Sequence, residues 1–242
     1  MKIDKLLLET GGDIPFPPAG VTIHTPTLRE IGMIGEPNFH IGCHFLTFDK
    51  NNLSDEDKIG LEDKSNFEIF MSGMNSKENA IHRTDAMMVL ALLFPQCKIK
   101  IDKDKILLQS ENFSSSINEQ NYSEFRTVLS QIFCLELAEE GEDFNPADAL
   151  AARIAEKIKK GKQKRNKKDT DGKGDLSVYN KFISILAIGL KKDKNLLSNY
   201  TVYQIRDEFK RFIKKENYDI FIQAKLAGAQ DLEEVKNWMD DD

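Results

Sequence analysis

The chain contains 242 residues, of which 40% are hydrophobic and 31% are charged, and its formal net charge is −6. This length suffices for one large domain or two small ones, and the composition is ordinary for a soluble globular protein. Nucleic-acid binders usually carry a strongly basic footprint, whereas this chain as a whole is acidic. The composition therefore argues against a general nucleic-acid-binding role.

The cysteines and the apolar runs predict a cytoplasmic protein. Cys43, Cys97 and Cys134 are widely spaced, which indicates reduced thiols and no disulfide framework. A signal peptide is not expected, because Glu9 interrupts the apolar run that begins at Leu6. A membrane span requires about 20 apolar residues, and the sequence has no such stretch.

The first elements are predicted from prolines and helix caps. Three prolines between residues 15 and 18 fix φ and remove backbone donors, so residues 1–20 are predicted to be an extended arm. Val21–Ile23 is a strand candidate. Thr25-Pro26 provides an N-cap and a first-turn proline for a short helix that Gly35 ends. A second short helix is expected through residues 38–46.

The middle of the chain alternates between turn-rich and periodic segments. Residues 67–71 are a strand candidate after a charged, turn-rich stretch. Apolar residues at helical spacing predict helices over residues 76–93 and 118–137. Alternating residues around a charged turn predict a β-hairpin over residues 98–108.

The composition changes abruptly after residue 135. Acidic residues dominate 136–148, and Asn145-Pro146 restarts a helix by the cap-plus-proline rule. Lysine and arginine then dominate 157–168. A polar, like-charged segment with glycine buries too little apolar surface to order itself, so residues 157–175 are predicted to be a basic flexible linker.

The pattern beyond the linker is purely helical. An apolar face over residues 178–190 predicts one helix, and the capping box Thr201-x-x-Gln204 opens another. A further helix is predicted over residues 220–227, where Gly228 ends it. Asp231-x-x-Glu234 is expected to open a last short helix.

The predicted fold class is α+β. A mostly helical N-terminal domain over residues 21–156 carries a small antiparallel hairpin. A small all-α module over residues 176–242 follows the linker. The sequence shows no internal repeat, no heptad series and no self-complementary face, so it does not predict an oligomeric state.

Two motifs invite a metal site, but each lacks ligands. His40-x-x-Cys43-His44 offers imidazole and thiolate, whereas a structural zinc site usually requires a second close-spaced pair. Residues 169–175 resemble part of a calcium loop. However, Lys173 and Asn180 occupy positions that require an oxygen ligand and a bidentate glutamate. We therefore predict no metal site and no cofactor.

DNA binding is the weaker of the interaction hypotheses. The basic run at residues 157–168 could contact phosphates, but aromatic residues do not interleave with it. A helix-turn-helix could be placed over residues 195–212, although Asp207 and Glu208 would then face phosphates. Nucleic acid is therefore not expected as a partner, and a DNA-binding regulator is retained as an alternative. The recognition helix of that alternative would carry Gln204, Arg206, Lys210 and Arg211.

The sequence also lacks recognisable catalytic motifs. Gly-x-Ser-x-Gly, the phosphate-binding Gly-x-x-x-x-Gly-Lys and His-Glu-x-x-His do not occur. Carboxylate pairs such as Glu139 and Glu140 lie in solvated runs and not in an apolar pocket that would tune them. We therefore predict no enzyme activity and no catalytic residues.

Two segments resemble tail-region proteins from phages of low-GC Gram-positive bacteria. The first is His24-Thr-Pro-Thr-Leu-Arg-Glu-Ile-Gly-Met-Ile-Gly-Glu36. The second is Asn199-Tyr-Thr-Val-Tyr-Gln-Ile-Arg-Asp-Glu-Phe-Lys-Arg211, with Ala224-Lys-Leu-Ala-Gly-Ala229 and Val235-Lys-Asn-Trp-Met239. Within that group the chain resembles the tail assembly chaperones.

The resemblance implies a non-enzymatic protein of the host cytoplasm. Such chaperones coat the long tape-measure protein and recruit tail-tube subunits, so the implied partners are the tape-measure and tail-tube proteins. A structural tail or neck protein of the virion is the alternative that shares these sequence features.

Amphipathic helices of the C-terminal module are expected to cover apolar helical segments of the client, which is helix-in-groove recognition. Packing inside their own module is the alternative role for most of the aromatic side chains there. The residues expected to contact a partner are Tyr203, Phe209, Phe212 and Trp238.

Overall fold

The structure is a computed structural model that describes residues 1–53, 59–61, 63–76, 79–135, 177–228 and 235–239. The helices before residue 135 are α1 (Lys5–Glu9), α2 (Leu28–Ile34), α3 (Glu36–Leu46), α4 (Asn66–Asn75), α5 (Ala80–Leu93) and α6 (Glu119–Phe133). The later helices are α7 (Val178–Gly189), α8 (Lys194–Leu197) and α9 (Val202–Leu226). The strands are β1 (Ile14–Phe16), β2 (Val21–Ile23), β3 (Lys98–Ile101), β4 (Ile106–Gln109) and β5 (Ser114–Ile117).

The strands form two small antiparallel sheets, which confirms the α+β prediction. The first sheet pairs β1 with β2, so that Ile14 lies opposite Ile23. The second has the order β3-β4-β5, and its β3–β4 pair is the predicted hairpin over residues 98–108. Ile106 and Ile117 lie opposite each other and are fully buried, so one face of this sheet lies against the core.

Local capping chemistry explains where several helices begin. Thr27 and Thr201 each accept a hydrogen bond from the third residue of their helix, whose side chain bonds back to the cap. Ser65 and Asn118 form the same reciprocal arrangement for α4 and α6. Each such box satisfies two backbone donors that the first turn of a helix leaves unpaired. The cap of α2 is Thr27, two residues after the predicted Thr25.

The central core is rich in aromatic side chains. Phe70 stacks on Tyr122 with ring centroids 5.1 Å apart, and Phe94 stacks on Phe125 at 6.2 Å. The Tyr122 hydroxyl donates to the Leu46 carbonyl oxygen at 3.1 Å, so this buried polar group is satisfied. The aromatic cluster therefore joins helices α3, α4, α5 and α6.

Helices α3 and α5 approach each other closely at Gly42. A β-carbon at Gly42 would lie 2.5 Å from the Asp85 carbonyl oxygen and 2.7 Å from a Val89 methyl group. Because the Asp85 oxygen belongs to helical backbone, it cannot move aside cheaply. The contact therefore requires glycine for close packing and not for a left-handed conformation.

A matched pair of glycine substitutions tests this contact. Glycine to alanine in a helix is normally stabilising by about 0.5–1 kcal/mol, because alanine restricts the unfolded chain. We expect Gly32→Ala in α2 to follow this rule, since no described atom lies within 4 Å of the new methyl group. Gly42→Ala should instead lower the free energy of unfolding by about 1–3 kcal/mol through overpacking. Urea denaturation of both variants measures the two changes, and equal signs would contradict the packing argument.

The structure corrects the predicted extended arm. Residues 5–9 form α1, whose N-cap Asp4 accepts from the Leu6 backbone N–H at 2.8 Å. Pro15 lies in β1 between Ile14 and Phe16, which are both fully buried. The alternation of apolar residues around the proline therefore outweighed the general bias of prolines toward exposed, irregular chain.

Two more predictions were wrong about secondary structure. Residues 67–71 belong to helix α4 and not to a strand, because Ser65 and Glu68 form a capping box. Residues 220–227 do not begin a separate helix, because α9 runs unbroken for 25 residues without an internal glycine or proline. Gly228, at φ +86°, follows its C-terminus as predicted.

Several predictions fall outside the described residues. These are the acidic stretch with its helix restart at Asn145-Pro146, the basic linker over residues 157–175, the calcium-like loop at 169–175 and the start of a helix at Asp231. The division into an N-terminal domain and a C-terminal module stays a prediction.

Candidate interaction site at the C-terminal helices

The two segments that carry the phage resemblance meet in the structure. Thr27 and Thr201 form an isolated antiparallel β-bridge. The Leu28 backbone N–H donates to the Tyr200 carbonyl oxygen at 2.9 Å, and the Arg29 N–H donates to the Ser198 carbonyl oxygen at 2.8 Å. We call these two paired segments, residues 27–29 and 198–201, the clasp. Helices α2 and α9 both begin at the clasp, so it fixes their relative positions.

Glu36 holds the start of helix α7. Its carboxylate accepts from the Val178 backbone N–H at 2.8 Å and from the Tyr179 N–H at 3.4 Å. The Ser177 hydroxyl donates to the same carboxylate. An acidic group at a helix N-terminus satisfies unpaired donors and interacts favourably with the helix dipole. Glu36 therefore fastens α7 to α3 electrostatically.

His40 of the zinc-like motif in α3 contributes to this same contact. The His40 ring stacks on Tyr179 with centroids 5.3 Å apart, and a 3.4 Å hydrogen bond joins its Nε2 to Glu36. Burial lowers the pKa of His40, against the opposing effect of Glu36. Cys43 is fully buried, and burial raises the pKa of its thiol. Within the described residues, no three His, Cys, Asp or Glu side chains are grouped so as to hold a metal ion.

Arg206 and Gln204 anchor helix α9 to the rest of the fold. Arg206 donates from Nη1 to the Cys134 carbonyl oxygen at 3.1 Å. Gln204 donates from Nε2 to the Glu9 carbonyl oxygen at 2.8 Å. Both were candidate base-reading side chains of the helix-turn-helix alternative. Because they bond to the backbone of their own chain, this geometry favours an anchoring role for them.

Three of the predicted partner-binding residues face the interior of the fold. Phe209 stacks on Phe182 with ring centroids 4.3 Å apart, and both are partly buried against the core. The Phe212 ring occupies space beside Gly189, where a β-carbon would lie 2.3 Å from the ring. Tyr203 also packs against the core. Their partner contacts stay a prediction, but the side chains already have intramolecular contacts.

Trp238 belongs to a separate described segment of the chain. It is half-buried in the described segment 235–239, where the Met239 backbone N–H donates to Asn237 Oδ1 at 3.0 Å. Its proposed partner contact is likewise untested.

The apolar face of α9 that packs inside the fold stops at Phe212. Val202 and Ile205 are 1% and 0% exposed, and the same face continues through Phe209 and Phe212 at spacings of three and four residues. The next positions at that spacing are polar: Glu216, Asp219 and Gln223. Among the described residues, the apolar face that packs on the core therefore ends halfway along this helix.

A second apolar face begins one residue later and is exposed. Ile213 is 39% exposed and Ile220 is 61% exposed. The spacing 213, 217, 220, 224 and 227 alternates between four and three residues, which places these positions on one face of a helix. We call this set, Ile213, Asn217, Ile220, Ala224 and Ala227, the distal seam. Successive helical residues are about 100° apart, so the distal seam points well away from the buried face.

The spacing of the distal seam is present in the sequence, but the sequence does not by itself separate this face from the buried face that ends at Phe212. Because Phe212 and Ile213 are adjacent apolar residues, helical periodicity alone does not show that they lie on different faces of α9. Their different exposure in the structure distinguishes them.

Comparison with known proteins finds a family match for the C-terminal part of the chain. A family model described as YomV second domain matches residues 176–241. No curated protein and no solved structure matches the chain. The family match indicates a phage protein, in agreement with the coarser part of the sequence resemblance.

The matched region contains α7, α8 and α9, and therefore the distal seam. The groups that fasten these helices in place lie outside it, on Glu9, Thr27, Glu36 and Cys134. In the described part of the chain, no helix is both long enough and apolar enough to cross a bilayer.

Proposed function

We propose that this protein is a phage tail assembly chaperone that binds its clients through the distal seam. The observation that carries the proposal is the change of face along α9. The first half of the helix is fixed inside the fold, whereas the second half presents isoleucines to solvent. A firmly held helix with an exposed apolar face is suited to binding an amphipathic helix of another protein.

The chemistry of the distal seam fits a helical client. Ile213 and Ile220 are seven residues apart, so a client helix with apolar residues at similar spacing can interdigitate with them. Asn217 lies between the isoleucines, and its side chain makes no hydrogen bond among the described residues. The tape-measure protein, expected to be long and helical, is the proposed client, and tail-tube subunits would replace the chaperone on it.

The other polar groups near the C-terminal helices support binding over catalysis. Glu36, His40 and Arg206 have partners that fix helices in place. The functional groups of these three side chains are therefore already engaged in contacts that hold the helices together. The proposal is therefore a non-enzymatic role that relies on surface complementarity.

A matched pair of variants tests the proposal. Ile220→Asp places a charge in the distal seam, and Ile188→Asp makes the same change on α7 at an isoleucine that is 80% exposed. Burying an isoleucine contributes about 1.5–3 kcal/mol, so we expect Ile220→Asp to weaken client binding by roughly 10- to 100-fold. Ile188→Asp should bind like the unchanged protein.

The measurement is co-expression of the full chain with a tape-measure fragment, followed by pull-down and titration of the purified complex. No capture of the fragment by the unchanged protein would contradict the tape-measure assignment. Equal binding by both variants would show that the client uses another surface. Mass spectrometry of purified particles adds a separate check, because stoichiometric presence would favour a structural virion protein.

A further inference from the structure

We propose that a groove between α3 and α5 binds a helix of a partner protein that carries a lysine or arginine among apolar residues. The first observation is a contrast between two buried aspartates, Asp49 at 6% exposed and Asp85 at 5%. Asp49 is paired with Arg126 at 2.7 Å. Asp85 Oδ2 is enclosed by protein and has no hydrogen-bond partner among the described residues. Because a buried carboxylate without a counter-charge is costly, Asp85 favours the approach of a cation.

Asp85 lies where α3 and α5 approach each other closely. Its carbonyl oxygen would lie 2.5 Å from a β-carbon at Gly42. One turn earlier on α5, the His82 ring stacks on Phe45 of α3 with centroids 6.2 Å apart. Side chains on a helix lean toward its N-terminus, so the Asp85 carboxylate lies over the turn that contains Ile81 and His82.

One side of Asp85 faces the core, and the other side faces solvent. Successive helical residues are about 100° apart, so Ala86 and Val89 lie on one side of Asp85, and Ile81 and Met88 lie on the other. Ala86 and Val89 are fully buried, whereas Ile81 is 74% exposed and Met88 is half-buried. Asp85 therefore marks the boundary between the core face and an open face of α5.

The open face of α3 lies beside that of α5. On α3, Phe39 and Cys43 lie on one side of Gly42 and are buried, whereas Ile41 and Phe45 lie on the other side. Ile41 is 37% exposed and Phe45 is half-buried. Because the buried faces of both helices belong to one hydrophobic core, the two open faces adjoin. We call the surface that they form the α3–α5 groove, which consists of Ile41, Phe45, Ile81, Asp85 and Met88.

The chemistry of the α3–α5 groove fits an amphipathic helix with a cationic side chain. Apolar residues of such a helix would cover Ile41 and Ile81, which is helix-in-groove recognition. The aliphatic stem of a lysine or arginine packs on apolar surface while its charged head reaches the Asp85 carboxylate. A charge pair formed there is partly desolvated, so it distinguishes strongly between cationic and neutral partners. The groove shares no residue with the distal seam, so it does not rest on the proposed function.

Two matched substitutions test whether Asp85 lacks an internal partner. Asparagine has nearly the shape of aspartate but no charge. Asp85→Asn should raise the urea midpoint of unfolding of the full chain, because it removes a buried charge that has no partner in the described chain. Asp49→Asn should lower the midpoint, because it leaves Arg126 without its anion. A fall for Asp85→Asn as large as that for Asp49→Asn would show that Asp85 supports the fold, and would overturn the proposal.

Two peptides test the binding. One probe is a helical peptide of about 16 residues with a central lysine and leucines three and four positions to either side, and the other has glutamine in place of the lysine. By fluorescence anisotropy, we expect the full chain to bind the lysine peptide about tenfold more tightly or better, and Asp85→Asn to remove this difference. Ile81→Ser should weaken binding of both peptides, whereas Leu6→Ser on α1, at a leucine that is 67% exposed, should not. No binding, equal binding of the two peptides, or a difference that survives Asp85→Asn would overturn the proposal.

Two other occupants of the groove give different results. If the basic run at residues 157–168 of the same chain filled it, the lysine peptide would bind only after the lysines of that run were replaced by glutamine. If a second copy filled it, sedimentation equilibrium of the full chain would show dimers that Asp85→Asn dissociates. Either result would overturn the assignment of the groove to a partner protein.

Discussion

Replacing Arg126 with alanine is expected to lower the free energy of unfolding by about 3–5 kcal/mol. Arg126 Nη2 lies 2.7 Å from Asp49 Oδ2, and the two side chains are 8% and 5% exposed. Removing one partner of such a buried pair leaves the other charge uncompensated, which costs more than the pair itself contributes. The substitution therefore destabilises the fold chiefly because the buried Asp49 carboxylate remains without its cation.

The surrounding hydrogen bonds make this pair a structural junction. Asp49 also accepts from the Asn51 backbone N–H at 3.0 Å and from Asn66 Nδ2 at 3.3 Å. Arg126 donates from Nε to the Thr47 carbonyl oxygen at 3.4 Å. The network ties the chain that follows α3 to helices α4 and α6. Losing this network should therefore lower the free energy of unfolding by more than the loss of a single ion pair would.

A surface ion pair provides the control for Arg126→Ala. Lys5 and Glu9 are 3.6 Å apart on α1, and their side chains are 61% and 36% exposed. Because solvent screens such a pair, Lys5→Ala should cost about 0.5 kcal/mol or less. Urea denaturation of both variants gives the comparison. If Arg126→Ala cost no more than Lys5→Ala, the buried network would not have the role inferred from its geometry.

The same pair gives a pH dependence. Burial alone would raise the pKa of Asp49, but hydrogen bonds from Asn51 and Arg126 and the Arg126 charge lower it overall. The pair's stability contribution is therefore present above the ordinary aspartate pKa of about 3.9 and is lost as the pH falls through the lower folded value. In Arg126→Ala the pair is absent, so the variant should lose less stability than the unchanged protein as the pH falls through this range, and urea denaturation at a series of acidic pH values measures the difference.

Short-range signals in the sequence predicted the parts of the fold that local chemistry determines. The capping box at Thr201 requires only two residues three positions apart, and α9 begins there. The β3–β4 hairpin was predicted because alternation and a charged turn are both local features. Gly35 ends α2 with φ +86°, a conformation that glycine adopts easily.

Long-range contacts account for much of what the sequence did not reveal. The clasp joins Thr27 to Thr201, and neither segment signals the other. The capping box at Thr27 was overlooked because Thr25-Pro26 offered a competing N-cap signal. The strand prediction at residues 67–71 failed for a different reason. Phe67, Phe70 and Met74 have helical spacing, but the run is short enough to read as a strand.

At the candidate interaction site, too, the sequence predicted what depends on residue type and did not predict what depends on distant contacts. Aromatic type suggested Phe209 and Phe212 as contact residues, but composition does not show whether a side chain points inward or outward. Both pack inside the fold, against Phe182 and beside Gly189. Ile213 and Ile220 have the exposure that partner binding requires. Which of two adjacent faces is buried depends on how α7 and α6 pack against α9, and the local pattern of α9 does not contain that information.

Replacing Phe39 with alanine is the other prediction with a large expected effect. Phe39 is 1% exposed and packs edge-on against Phe133, with ring centroids 4.9 Å apart. Its ring is also 6.5 Å from Tyr179 at the start of α7. Truncating a buried phenylalanine removes apolar burial and leaves a cavity, so the free energy of unfolding should fall by about 3–5 kcal/mol. Phe113→Ala is the control, because Phe113 is 41% exposed.

Two probes decide whether this loss reaches the C-terminal helices. Trp238 is the chain's one tryptophan, so its fluorescence reports on the C-terminal region, whereas far-ultraviolet circular dichroism reports on all helices. Because Phe39 lies where α3, α6 and α7 meet, we expect Phe39→Ala to shift both unfolding transitions together. An unchanged Trp238 transition beside a shifted dichroism transition would instead show that residues 176–242 unfold as an independent module. The glutamate, histidine and arginine contacts at Glu36, His40 and Arg206 would then be too weak to couple the two regions.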